Sequence, residues 1–260
     1  MRASVASESG RPDGRNEDWA AATPSGVAVV LDGLSEAGGT GCRHGTPWYV
    51  HQLGARLLGH AGVAGRPLAD ALADAVTDVA GLHPDCDLTH PGTPGATVAV
   101  LRATTAAWEY LVLSDAVLVV DGGAEPTVVT DRRADHHLAE LSAAAAADGG
   151  SITELVQAQQ LIRNRPGGYW IAQVDPAAAA HAVTGTVPPG RGALLLSDGA
   201  ALAVTDFDAL SWRELLDLGY AGGPEAVVAA TRELESRDPD RTVWPRYKRH
   251  DDATAVVCRP

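Results

Sequence analysis

Apolar residues fall into short unbroken runs and helix-spaced stripes along this chain. Residues 27–31 are continuously apolar and close on Asp32-Gly33, the pattern of a buried strand ending in a turn. Thr46-Pro47 reads as an N-cap with proline at the first helical position, and Val50, Leu53 and Leu57 then recur on one face, which predicts a helix. A second helix is predicted from about Pro67, with Leu68, Leu72, Val76 and Val79 as its stripe. From Gly95 the texture changes: ATVAVLRA, WEYLVL, AVLVV and PTVVT are strand-like runs in close succession, predicting an antiparallel meander. Two helices are expected next, one over 134–147 and one opened by the capping box Ser151-x-x-Glu154. Strands predicted at 168–173, 181–187 and 192–196 lead into Ser197-Asp198-Gly199. Ser211-x-x-Glu214 and Pro224 each open a helix, and ATAVVCR closes the chain as a strand. Strands in runs and helices in pairs argue for an α+β fold with antiparallel sheets.

The chain has 260 residues, 45% hydrophobic and 20% charged, a balance that supports one substantial core without disulfides or structural zinc. One domain over 1–260 is expected, with a flap around 150–172. The formal net charge of -13 repels phosphate backbones and anionic membranes, so neither nucleic acid nor a membrane surface is expected as a partner. Cys42, Cys86 and Cys258 form no CxxC pair. An odd count without a secretory leader fits a reducing, cytoplasmic setting, and the three read as buried apolar residues. No stretch approaches the ~18–20 apolar residues of a membrane span. Lys248 is the only lysine beside abundant arginine, alanine and glycine, a bias typical of high-GC bacterial coding.

Acidic residues repeatedly occupy the ends of strongly apolar strands: Asp32 after VAVVL, Asp115 between LVLS and AVLVV, Asp198 after ALLLS, and Asp251-Asp252 before ATAVV. For any one of them an ordinary turn suffices. Carboxylates converging from several strand ends need protons or cations to offset their repulsion. Hard oxygen ligands without nearby cysteine favour Mg²⁺ or Mn²⁺ over zinc or copper.

These fragments, in this order, resemble the PP2C-type (PPM) metal-dependent serine/threonine protein phosphatases, and in particular bacterial members. Asn16-Glu17-Asp18 is similar to the family's NED element, Asp32-Gly33 to its DG element and Gly95-Ala96-Thr97 to GTTA. Ser114-Asp115 is similar to GDSR, Ser197-Asp198-Gly199 to SDG, and Asp251-Asp252-Ala253-Thr254 to DNxT. The resemblance implies an αββα sandwich of two antiparallel β-sheets with a catalytic set of Asp32, Asp198, Asp251 and Asp18. It implies two Mn²⁺ or Mg²⁺ ions: Asp32 bridging both, the Gly33 carbonyl on the second, Asp198 and Asp251 on the first. Glu17 and Asp18 would hold metal-bound waters, and Asp115 with Asp198 would match a third metal. The implied reaction is attack of a metal-bridging hydroxide on the phosphomonoester of a phosphorylated protein, with a serine/threonine kinase in the same pathway.

The sequence also departs from the pattern. The family's phosphate-holding arginine falls at Asp13, flanked by Arg11 and Arg15, which would share its face if the stretch is extended. Both are phosphate-binding candidates. Leu34 stands where eukaryotic members carry a histidine, and GDSR is reduced to Ser114-Asp115-Ala116-Val117, which leaves the third metal open. Arg163, Arg165, Tyr169 and Trp170 lie where bacterial members carry a flap; they suit a lid over an anionic ligand or the start of a packed strand. Arg246 to Arg249 form a basic rim or a solvated turn. Two alternatives retain the fold, a small-molecule phosphomonoesterase and a catalytically silent binding module. A nucleophile elbow at Ser35 with Asp198 and His250 lacks the last glycine and the preceding strands of that fold. His136, His137 and Glu140 read as solvated, and Cys42 with His44 as loop packing.

Overall fold

The computed structural model describes residues 1–260 except 37, 135–140, 142–150 and 247. Two five-stranded sheets, all of whose pairings are antiparallel, face each other. The first has the order β1 (Arg2–Glu8), β10 (Ala253–Arg259), β9 (Ala193–Leu196), β6 (Val117–Val120), β7 (Thr127–Val129). The second runs β2 (Asp18–Ala22), β3 (Val27–Gly33), β4 (Ala96–Ala103), β5 (Trp108–Leu113), β8 (Val183–Val187). Helices α1 (Thr46–Ala61) and α2 (Leu68–Ala80) cover the outside of the second sheet. Helices α4 (Asp198–Thr205) and α5 (Trp212–Arg237) cover the first, and α3 (Ile152–Ile162) lies beside one end of the sandwich.

Burial on both faces explains the unbroken apolar runs. Along β3, Ala28 and Val30 pack between the sheets while Val27, Val29 and Leu31 pack against the helical layer of Leu53, Leu57, Leu72 and Val76. Along β9, Ala193 and Leu195 face the inter-sheet core, and Leu194 and Leu196 meet Leu215, Leu216 and Val227. Both capping boxes form: Ser151 Oγ accepts from Glu154 N (3.3 Å) and Ser211 Oγ from Glu214 N (3.2 Å). Within α5, Gly223 (φ 78°) and Pro224 interrupt the helix, where a new helix start is predicted.

Several expectations are corrected. The four-strand meander is divided, since β4 and β5 belong to one sheet and β6 and β7 to the other. The chain crosses at Ser114, whose φ of 65° turns it between them. Residues 168–173 form no strand, and their only ladder pairings among the described residues are the isolated bridges Arg163–Tyr169 and Ala96–Ala172. Thr46 is the first helical residue rather than the N-cap, and its N–H is satisfied by Glu36 Oε1 at 2.6 Å. Residues 11–14 turn, closed by Gly14 N to Arg11 O at 3.0 Å, so they are not extended. Cys258 is buried between the sheets, but Cys42 and Cys86 are only half-buried, in loops. The helix predicted over 134–147 and the His136, His137 and Glu140 cluster lie outside the described residues, Ala134 and Leu141 apart.

Candidate metal centre

Strand register brings the acidic residues to one end of the sandwich. In the second sheet Asp18 pairs with Asp32 and Asp32 with Thr97, placing the three abreast across β2, β3 and β4. In the first sheet Asp198 follows β9 after Ser197 and Asp251-Asp252 precede β10, and these strand ends are joined by Ser197 N to Thr254 O (3.0 Å). Asp252 ties the sheets together: its carboxylate accepts from Gly10 N (2.8 Å) and Glu17 N (2.7 Å). A Cβ on Gly33 would come within 2.3 Å of the Glu17 carbonyl, so only glycine lets β3 pass this closely.

A cavity of about 290 Å³ opens at this end, lined by Gly33, Asp32, Asp115, Asp198, Asp251 and Lys248. Burial raises Asp32 well above the usual carboxylate range, and Asp198, Asp18 and Asp115 add to the effect. Burial, then the nearby Asp251, push Asp198 up to about 6. Asp32 and Asp198 are within hydrogen-bond reach, a contact that raises Asp32 further and lowers Asp198. Asp18, 5% exposed, is pushed up to about 8 by burial, with Asp198 and Asp252 contributing. The Ser197 and Thr254 hydroxyls lie close enough to ease its charge, yet neither Asp18 oxygen has a hydrogen-bond partner of good geometry.

Glu17 is buried and its pKa is raised by burial, although Arg11 and Arg15 pull the other way. Arg11 is ion-paired with Glu17; Arg15 stands 3.6 Å from Glu17 and 3.5 Å from Glu36. The turn at 11–14 thus aims both candidate arginines at the acid of the NED-like element. Arg11 also lines a smaller adjoining cavity with Lys248 and Asp251.

The donor set suits hard divalent cations. It consists of carboxylates and a backbone carbonyl, it includes buried oxygens without hydrogen-bond partners in Asp18 and Glu17, and burial and mutual repulsion raise the pKa of its aspartates, which a cation would offset.

No protein-family model matches the sequence, and no curated protein matches it either. Solved structures do match over nearly the whole chain. The PPM Ser-Thr phosphatase MsPP from Mycobacterium smegmatis, in complex with cacodylate, is 17% identical, with 100% of this chain and 98% of that chain covered and a TM-score of 0.57. The Mycobacterium tuberculosis serine/threonine phosphatase PstP/Ppp is 15% identical, with 99% and 97% covered and a TM-score of 0.61. The fold is that of the PPM phosphatases. The catalytic domain of PstP in complex with two manganese ions is 18% identical, with 99% and 97% covered and a TM-score of 0.58.

Within this PPM fold Glu235 is a group that sequence reasoning missed, and residues named from the sequence take partners it did not assign. Lys248 donates to Asp251 Oδ1 at 2.6 Å. Burial opposes its charge, but Asp251, Asp198 and Asp32 outweigh that and raise its pKa. The only lysine of the chain is therefore a cation among the carboxylates, with Arg163 and Arg246 in the same cavity lining. Glu235, fully buried on α5, accepts from Arg232 (2.7 Å), His250 (2.8 Å) and Asp251 N (3.3 Å), which fixes the Asp251 backbone. His250 is thereby held by Glu235, and no hydrogen bond joins it to Ser35 among the described residues. Arg246 is no solvated turn: it is bound to Asp238 at 2.9 Å and lines the cavity with Lys248. Arg163, 6% exposed, donates to Tyr169 Oη at 2.8 Å. Tyr169 and Ile171 pack on Leu34, while Trp170 stacks on His181 at 3.4 Å, so this segment is packed beside the cavity.

Proposed function

We propose that this chain is a divalent-metal-dependent phosphomonoesterase that removes phosphate from phosphoserine and phosphothreonine in proteins. The observation that carries the reading is the convergence of Asp32, Asp198 and Asp251 from both sheets on one cavity, backed by Asp18 with its unpartnered oxygens. Asp32, Asp198, Asp251 and the Gly33 carbonyl would hold two Mn²⁺ or Mg²⁺ ions, and Asp115 with Asp198 a third. Such ions, when bound, supply Lewis acidity that acidifies water and neutralises charge on phosphoryl oxygens.

The remaining tasks fall to the chain itself. Asp18 and Glu17, buried behind the ligands, would orient waters by accepting their hydrogen bonds. Arg11, held by Glu17 at the adjoining cavity, would take a phosphate oxygen, with Arg15 at the solvent edge. Leu34 has no proton to give, so the leaving alkoxide would be protonated by a water held on these acids. Residues 150–172 would act as the flap, since Leu155, Val156, Arg163 and Tyr169 line one wall.

The Lys248–Asp251 ion pair favours a second reading, a catalytically silent binding module in which the ammonium takes the place of a cation. Hydrolysis of p-nitrophenyl phosphate with and without manganese, before and after EDTA, separates the two. Turnover that appears with Mn²⁺ and vanishes with EDTA supports the enzyme; inactivity at saturating Mn²⁺ supports silence. A phosphothreonine peptide run against a panel of metabolite phosphates then tests the protein substrate, and preference for a metabolite would overturn that part.

A further inference from the structure

A second cluster of ligating side chains lies outside the carboxylate site and is not used by it. Cys42 and His44 stand on the loop after β3, and Cys86 on the loop after α2. Cys42 Sγ is 3.6 Å and Cys86 Sγ 3.7 Å from His44 Nδ1, and all three atoms lie within 4.8 Å of one another. Zinc–sulfur bonds of about 2.3 Å and zinc–nitrogen bonds of about 2.0–2.1 Å at a tetrahedral angle put ligand S and N about 3.6 Å apart. Both sulfur–nitrogen separations thus match those of ligands on one tetrahedral ion.

The loops that carry them are held in register by other contacts. Asp87 N donates to Gly41 O at 2.9 Å and Arg43 pairs with Asp85 at 3.2 Å. Gly41, at φ 68°, leaves room that a Cβ would take, 2.5 Å from the Asp87 carbonyl. His44 is stacked on Trp48 with ring centres 4.2 Å apart, which limits its rotation. A second imidazole adjoins: His83, 5% exposed, has its ring centre 5.2 Å from that of His44. Its Nδ1 is held by the Val79 carbonyl at 2.9 Å and its buried Nε2 has no partner. One ring nitrogen fixed by a backbone carbonyl, leaving the other with a free lone pair, is the arrangement of metal-binding histidines.

We propose that Cys42, His44 and Cys86 form a site for a thiophilic divalent cation, of which Zn²⁺ is the natural occupant, distinct in position and donor type from the carboxylate centre. Two thiolates and an imidazole select zinc over magnesium or manganese. The near-equal approach of both sulfurs to one nitrogen distinguishes the cluster from a simple dithiol, in which the imidazole would have no part. The bound ion would clip the loop of Glu36, which serves the N-terminus of α1 and pairs with Arg15, to the loop that follows α2.

The test is a Co²⁺ titration of the full-length, reduced, chelator-treated protein under anaerobic conditions with Mg²⁺ in excess. Thiolate-to-cobalt charge-transfer absorption should develop to one equivalent and be abolished by one equivalent of Zn²⁺; carboxylate ligands give no such band. Cys42→Ser and Cys86→Ser should each abolish the band, and His44→Ala should weaken Co²⁺ affinity at least about tenfold. Should a variant fail to fold, thiol counting on the wild type serves instead: Zn²⁺ should protect two thiols from an alkylating reagent. Cobalt binding without the band, a band that survives both cysteine variants, or thiols equally reactive with and without Zn²⁺ would overturn the proposal. So would a Cys42–Cys86 disulfide in freshly isolated protein whose reduced form binds no Co²⁺.

Discussion

Two aspartates of almost equal burial behave in opposite ways. Asp238, 2% exposed, sits after α5 and accepts from Thr242 N (2.8 Å), Val243 N (3.2 Å), Trp244 N (3.0 Å) and Arg246 (2.9 Å). Burial alone would raise its pKa, but these donors overrule it and hold it far below the usual carboxylate range. Asp18, 5% exposed, has no such partners and is pushed up to about 8. Burial therefore does not mark a functional acid. What marks one is burial with the hydrogen-bonding capacity left unspent, because such a group is stable only when a proton or a cation joins it.

The sharpest way to break this comparison is to remove a cavity acid. Asp32→Ala or Asp198→Ala should reduce Mn²⁺-dependent phosphatase activity to the uncatalysed level while circular dichroism stays unchanged, since neither side chain belongs to the apolar core. Wild-type turnover in both variants would defeat the assignment.

Asp238→Asn should do the reverse, lowering the thermal midpoint more than any cavity substitution with little effect on kcat. A depressed native pKa stabilises the fold above the unfolded value of 3.8 and ceases to do so as pH falls through the native value. The gap between variant and wild type should thus be full at neutral pH and close in acid. Thermal denaturation across that range checks it.

The acid buried behind the cavity carries the opposite sign. Asp18 holds its proton more tightly folded than unfolded, so between its ordinary 3.8 and about 8 the unfolded chain ionises while the native carboxyl stays protonated, and stability falls as pH rises through that window. Chelator-treated protein should lose several degrees of thermal stability across this window. Asp18→Asn should flatten that slope, and Mn²⁺ should restore the lost stability at the alkaline end. A flat profile in the metal-free wild type would contradict the reading of Asp18.

The smallest expected effect concerns Lys248. Its ammonium competes with a cation for Asp251, so Lys248→Gln should tighten Mn²⁺ binding a few-fold by calorimetry. Weaker binding would show that the lysine assists the metal site.

Much of this architecture was legible in one dimension. Unbroken apolar runs at β3, β4 and β9 announce strands covered on both faces, and the two Ser-x-x-Glu boxes mark helix starts that form as read. Asp32 and Asp198 could be singled out because an acid ending a buried strand is a local pattern. The break in the meander was less visible, since a positive φ at Ser114 is a non-glycine exception that no composition signals.

By itself the sequence determined which segments become strands and helices, which faces are apolar, and which strand ends carry acids, because periodicity and capping act within a few residues. Only the tertiary structure decided who meets whom. It set Glu235 beneath His250, Asp252 against Gly10 and Glu17, and Cys86 beside Cys42 and His44. Those partnerships join groups that strand register and loop crossing bring together in space, and the pKa of each acid depends on the partners it finds there.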